Sequence, residues 1–234
     1  MQSRQSLIKT KSRPQAKNTR IDSISVPDYS LVNLSLYDMG YHSAGRRVTA
    51  RGPIAYFFTS TGCNTGCDFC EIPYVQGKWT KIGGSNLVRL VSQLSGYGVK
   101  EGLLEDDMFL HDPKWVLEVC ETIKPYGMKW FEEGGLSVFT LAALLPQVRR
   151  EEILASLTDR RKAEQIYKHV LESKEQGLTA EKLIRTMAES GCYGAYLAVE
   201  SANSDSLRTS SKPTINANPT YTREVVGLLN KYGI

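Results

Sequence analysis

No apolar run in the sequence approaches the roughly 20 residues that a membrane-spanning helix needs. The N-terminal stretch is charged and has no apolar segment behind it, so it does not read as a secretory signal. Histidine is scarce, at three residues, and cysteine numbers only five. An odd and crowded set of cysteines makes a poor disulfide framework and fits a reducing cytosol, so a cytoplasmic location is expected. Acids are missing from residues 1–20, where Arg4, Lys9, Lys11, Arg13, Lys17 and Arg20 carry much of the net charge of +4. That segment reads as a basic, disordered tail. The remainder is near neutral, so nucleic acid is not indicated as a partner. Internal repeats and low-complexity segments are absent. No G-x-G-x-x-G follows a strand pattern, and Gly83-Gly84 reads as a linker before a helix.

What remains is ordinary globular composition: 234 residues, 41% hydrophobic and 23% charged, enough for one sizeable core. Residues 21–52 read as an irregular lead-in. A rhythm begins at residue 53. "IAYFFTS" (54–60), "VKEGLLE" (99–105), "MKWFEEGG" (128–135) and "GAYLAVES" (194–201) read as strands, the third the weakest and the fourth the clearest. Helical patterns alternate with them. The first presents Leu87, Val88, Val91 and Leu94 behind Ser85 as N-cap, and stops at Gly96 or Gly98. The second starts at Asp112-Pro113 and presents Trp115, Val116, Val119, Cys120 and Ile123. The third runs from Thr179 to Gly191, and the fourth carries Pro219 early and Gly233 at its end. Four strand–helix units predict an α/β fold, a partial (βα) barrel with a parallel sheet. An excess of residues after the third strand, around 141–173, reads as an insertion of one or two helices.

The chemistry is concentrated in "TGCNTGCDFCEIP" (61–73), where Cys63, Cys67 and Cys70 stand at C-x3-C-x2-C spacing. Structural zinc takes four tetrahedral ligands, and the remaining candidates, Cys120, Cys192, His42, His111 and His169, are not at finger spacing. A C-x2-C redox pair would leave Cys63 idle. Three thiolates on an iron–sulfur cluster leave one iron open, which marks a site that binds a cofactor or substrate. Gly62 and Gly66 let the loop wrap tightly.

This loop, "CNTGCDFC" after an apolar strand, resembles the radical S-adenosylmethionine (radical SAM) superfamily, and the likeness extends over residues 53–234. It implies a radical SAM core of TIM-barrel type, with a [4Fe–4S] cluster held by Cys63, Cys67 and Cys70 and S-adenosylmethionine on the fourth iron. It implies reductive cleavage to a 5′-deoxyadenosyl radical, an electron donor such as flavodoxin or ferredoxin, and a small-molecule or unknown substrate. By the same resemblance Phe69 would lie near the adenine. One of Glu105, Asp106 and Asp107 would meet the methionine amino group, and Glu200 and Ser201 would face the ribose or methionine part. "VPDYSLVNLSLY" and "CDFCEIPYVQGKW" look most like the cobalamin-linked branch, which points to methyl or methylthio transfer. No D-x-H-x-x-G pattern occurs and 52 residues do not accommodate a cobalamin domain, so cobalamin is expected only with a domain outside this chain. The family core has six βα units against four read here, so a shortened core with a bare sheet edge beyond the fourth strand is expected, partly covered at its first edge by the lead-in. The alternatives are a non-catalytic iron–sulfur or partner-binding chain and a zinc-binding interaction module. Glu200 could also simply pair with Arg208 or Lys212. Cys120 and Cys192 read as packing thiols, His111 as an exposed loop residue, and Trp79, Trp115 and Trp130 as core or pocket wall.

Overall fold

The computed structural model describes residues 26–36 and 53–234. The basic stretch 1–20, the lead-in residues 21–25 and 37–52, and His42 lie outside the described residues. The strands are β1 (Ile54–Phe57), β2 (Ser60–Thr61), β3 (Thr80–Lys81), β4 (Glu101–Leu104), β5 (Lys129–Ser137) and β6 (Cys192–Ala198). The helices are α1 (Ile72–Val75), α2 (Gly84–Gly96), α3 (Pro113–Ile123), α4 (Val138–Ala143), α5 (Arg150–Ala155), α6 (Arg160–Ile166), α7 (Lys168–Glu175), α8 (Ala180–Glu189), α9 (Ser204–Thr209) and α10 (Pro219–Lys231).

Four strands form one parallel sheet in the order β1-β4-β5-β6. Sequential order with a helix between neighbours is the signature of βα units, as expected from the alternating patterns. The short strands β2 and β3 pair antiparallel and close the base of the cysteine loop, with Ser60 opposite Lys81 and Thr61 opposite Thr80. This clasp was not foreseen; the expected first strand, 54–60, ends at Phe57 instead.

The side chains alternate across the sheet as strand geometry requires. Ala55, Phe57, Leu104 and Trp130 join the helices in the main core. Ile54, Leu103 and Phe131 face the other way and pack with Tyr193 and Tyr196. Helix α2 contributes Leu87, Leu90, Val91 and Leu94 to the main core. Val88, expected on that face, is half exposed, because the 3.6-residue period turns it outward while Leu90 turns in. Helix α2 is capped by Gly83 rather than Ser85. On α3 all five expected residues are buried, and Asp112 accepts from the backbone N–H of Lys114 as N-cap. Each such fully buried large aliphatic side chain contributes about 1.5–3 kcal/mol.

Two expectations of extent change. The third strand, read as the weakest, is the longest of the sheet at nine residues. The insertion holds four helices, α4 to α7, rather than one or two. Their short lengths and the polar stretches between them blur the periodicity from which helices are read. The lead-in residues 26–36 include two short 3-10 turns. Tyr29 lies beside the β1 edge, and its hydroxyl donates to the Tyr56 carbonyl at 3.3 Å. Among the described residues, β1 and β6 are the sheet's outer strands, and no helix is long and apolar enough to cross a membrane.

Candidate functional site

Cys63, Cys67 and Cys70 sit above the C-terminal ends of the parallel strands, the rim on which (βα) barrels build their sites. The loop that carries them is braced from three directions. From below, the acids after β4 grip its entry. Asp106 is fully buried and accepts from Ser60 N at 3.0 Å and from the Thr59 and Ser60 hydroxyls at 2.6 Å, with the Thr59 N–H as a fourth donor. Asp107 accepts from Gly62 N at 2.7 Å and from the Thr61 hydroxyl at 3.0 Å. From one side, Asn64 bridges Trp79 N (3.1 Å) and His111 Nε2 (3.1 Å). From the other, Asp68 N donates to the Ser210 carbonyl at 3.2 Å, and the Ser211 hydroxyl donates to the Asp68 carboxylate at 3.1 Å. Gly62 is required inside this frame: its φ is +80°, and a Cβ there would lie 2.5 Å from the Lys78 carbonyl oxygen.

The three cysteines are free thiols. They share the wall of one cavity of about 280 Å³ with Phe69, Glu105, Asp106, Asp107, Glu200 and Lys212. Burial pushes the Cys67 thiol up; the Lys212 ammonium counters this, and Cys63 and Cys70 push further in the same direction. The three sulfurs are thus close enough to feel one another. Among the described residues, no group of three or more His, Cys, Asp and Glu converges on a single metal ion.

The cavity gathers most of the residues singled out in the sequence. Phe69 is exposed, with its ring 5.6 Å from Lys212 Nζ. Glu105 has its carboxyl raised by burial and by a hydrogen bond to Glu133. Asp106 is raised to about 6 by burial, against the pull of its four donors. Glu200 stands at φ +68°, a left-handed conformation uncommon for a side-chain-bearing residue, and accepts from Lys212 Nζ at 2.8 Å. The pairing with Lys212 is therefore made. Burial works against the charge on Lys212, but Glu200 and the Cys67 and Cys63 sulfurs outweigh it and hold the ammonium above its ordinary value. Ser201 is not in the cavity wall; its hydroxyl oxygen accepts from Asn203 N at 3.0 Å in the turn before α9.

His111 corrects the expectation of an exposed loop residue. It is buried between Asn64 and Trp79, with ring centroids 4.7 Å apart, and burial lowers it to about 4. Trp115 and Trp130 are core, as read, and Trp79 spans loop and core, donating from Nε1 to the Ser60 hydroxyl at 3.1 Å. Cys120 and Cys192 are buried thiols, and burial pushes Cys120 up to about 12.

Among the cavity residues that the sequence did not single out, four bear directly on the site. Gly134 and Gly135 end the "EEGG" run, and a Cβ on Gly134 would collide with the Asp106 carbonyl. Tyr167 comes from the insertion, stacked on Phe139 at 3.8 Å between ring centroids, and its buried hydroxyl has no partner. Asn216 is buried with its Oδ1 unpartnered. The glycine pair after two acids was a readable signal of close backbone approach. Tyr167 and Asn216 lie in no motif.

No family model matches the chain. Among curated proteins, the ribosomal protein uS12 methylthiotransferase RimO of Clostridium botulinum (strain Loch Maree / Type A3) is 31% identical over 100 residues, covering 40% of this chain and 22% of the relative. The protein of the same name from Roseiflexus sp. (strain RS-1) is 27% identical over 172 residues, covering 72% of this chain and 29% of the relative. The chain thus spans less than a third of the length of these relatives. Among solved structures, the cobalamin-dependent S-adenosylmethionine radical enzyme OxsB superimposes with a TM-score of 0.53 at 13% identity, over 76% of this chain and 22% of that one, a likeness of fold. In its cysteine loop, in sequence and in fold the chain is thus similar to the core of radical SAM enzymes.

Proposed function

We propose that Cys63, Cys67 and Cys70 hold three irons of a [4Fe–4S] cluster and that S-adenosylmethionine occupies the rest of the cavity, in an enzyme of methyl or methylthio transfer. The observation that carries this reading is the convergence of three free thiols on one cavity whose wall also holds a partly exposed cation–carboxylate pair, Lys212 and Glu200. The residues fit the group. Three neighbouring thiols are costly to ionise when buried, and cluster iron relieves that cost. The buried Tyr167 hydroxyl and Asn216 Oδ1 both lack partners and both line the cavity. Buried polar groups in native proteins are nearly always paired, so each calls for a ligand atom. When bound, the cluster supplies the electron that cleaves the sulfonium of S-adenosylmethionine to methionine and a 5′-deoxyadenosyl radical.

The chain's own residues then divide the work. Lys212 sets a positive charge beside Cys67 and Cys63, and its hydrogen bond to Glu200 fixes where that charge lies. Glu105 is the acid of the "EDD" run whose carboxyl is not engaged with the cysteine loop, so it is assigned the methionine ammonium. Asp106 and Asp107 hold the loop in place. Phe69 offers an exposed ring to the adenine. An external reductant such as flavodoxin or ferredoxin delivers the electron.

Anaerobic reconstitution followed by iron and sulfide analysis, then EPR with and without S-adenosylmethionine, tests the reading. About four irons and four sulfides per chain, with a signal altered by S-adenosylmethionine, are expected. A cluster whose signal ignores S-adenosylmethionine, or zinc without sulfide, overturns it.

A further inference from the structure

A second cavity, of about 350 Å³, adjoins the first and shares Lys212 with it. Two arginines line it, Arg160 from the start of α6 and Arg208 from the last turn of α9. Glu151 is the one acid in its wall, against three cations. Among the described residues no carboxylate pairs with Arg160 or Arg208, whereas Arg150 pairs with Glu175 at 2.6 Å and Arg185 with Glu189 at 3.8 Å. The hydroxyls of Ser211 and Thr214 in the wall already donate to Asp68 and to the Ser156 carbonyl. The donors left over are the two guanidinium groups and the Thr158 hydroxyl, with the Lys212 ammonium already paired to Glu200 at 2.8 Å.

Local helix energetics do not account for the cations. Arg160, Arg161 and Lys162 occupy the first turn of α6, where positive charge opposes the helix dipole. The same run reaches the cysteine loop: Lys162 Nζ stands 3.8 Å from where a Cβ on Gly66 would be. Lys162 thus adds a positive charge beside the cysteine loop. Planar guanidinium forks are suited to oxyanions, which they bind bidentately. With Lys212 paired to Glu200, the two arginines remain without a carboxylate partner, and two guanidinium charges suit a multiply charged phosphate better than a single carboxylate.

We infer that this cavity is a subsite for a phosphate group of the substrate, held by Arg160 and Arg208, with the rest of a small phosphorylated molecule extending past Lys212 to the reacting cavity. The inference rests on the reading of the first cavity as the reaction site. It is tested on the full chain after anaerobic reconstitution, by titration calorimetry with inorganic pyrophosphate and with citrate as the carboxylate control. Pyrophosphate should bind in preference to citrate. Arg160→Gln and Arg208→Gln should each weaken it by about tenfold or more, the scale of a lost charge-assisted hydrogen bond. Arg208→Lys should restore part of the loss, and Arg150→Gln should change nothing. Absence of pyrophosphate binding, equal or tighter citrate binding, or binding unmoved by both glutamine variants overturns the subsite. Iron content and the S-adenosylmethionine-dependent EPR signal, recorded on the same samples, separate the two readings. A normal cluster without anion binding removes the subsite alone, and anion binding without a cluster removes the reaction-site reading.

Discussion

Tyr167 shows what a single buried atom can require. Its ring is packed on Phe139, yet its hydroxyl has no partner, and the sulfur groups of Cys67 and Cys63 are near enough to raise it further after burial has done so. A hydroxyl left unpaired costs about 1–3 kcal/mol, whereas one that donates to a cluster sulfur is satisfied. Tyr167→Phe should therefore leave the cluster-free chain as stable or more stable, and shift the reduction potential of the reconstituted cluster downward, since a donor to sulfur favours the reduced state. Potentiometry monitored by EPR checks this, and an unmoved potential would place the hydroxyl away from the cluster. Glu200 makes the opposite case. Its partner Lys212 is visible, so Glu200→Gln weakens one charged hydrogen bond and should reduce S-adenosylmethionine affinity by about 1–3 kcal/mol while the iron content stays normal. A lowered melting temperature with unchanged affinity would reduce the pair to a structural one. Glu200 was legible as an acid ending an apolar strand. Tyr167 was not, because nothing in an insertion of short helices announces which aromatic turns inward.

At the level of elements, the cysteine loop is held by glycines and acids as much as by its own cysteines. Gly62 and Gly66 both have positive φ, but only Gly62 meets backbone, at 2.5 Å, while Gly66 faces the tip of Lys162. Gly62→Ala should thus lower stability and iron loading together, by more than the roughly 1 kcal/mol that Gly66→Ala costs through its backbone conformation alone. Thermal melts and iron assays of the two variants decide it; equal effects would show that the Lys78 contact yields freely. Replacing Cys63, Cys67 or Cys70 by Ala should abolish cluster assembly, and replacing Cys120 or Cys192 should not, since those two thiols sit in the core and outside the cavity wall. Full iron content in any of the three loop variants would overturn the ligand assignment. The loop's spacing was readable directly. The β2–β3 clasp beneath it was not, because two-residue strands carry no periodicity.

For the molecule as a whole, two buried groups bias stability in opposite directions over the same pH range. Asp106 is raised from an ordinary 3.8 to about 6, so its contribution is fully present below about 4 and is lost as pH rises through about 6. His111 is lowered from 6.5 to about 4, so its contribution is present above 6.5 and is lost as pH falls through about 4. At about 1.4 kcal/mol per pH unit each effect is worth roughly 3 kcal/mol, and the two largely offset between about pH 4 and 6. His111→Gln should unmask a loss of stability as pH rises across that window, and Asp106→Asn should unmask a gain; urea melts at pH 4, 5 and 6 measure both slopes. Identical slopes in the two variants would mean that neither group carries the effect. The sequence by itself determined the strand–helix order, the helix starts at Asp112, Thr179 and Asn218-Pro219, and the cysteine loop, because those depend on neighbours in the chain: period, caps and spacing. Tertiary structure alone decided that Asp106 and Asp107 grip the loop, that Lys212 meets Glu200, and that Arg160 and Arg208 face one cavity. Those pairings join residues twelve to some fifty positions apart, and only the packing of the sheet and its insertion brings such residues within hydrogen-bond or Coulomb range.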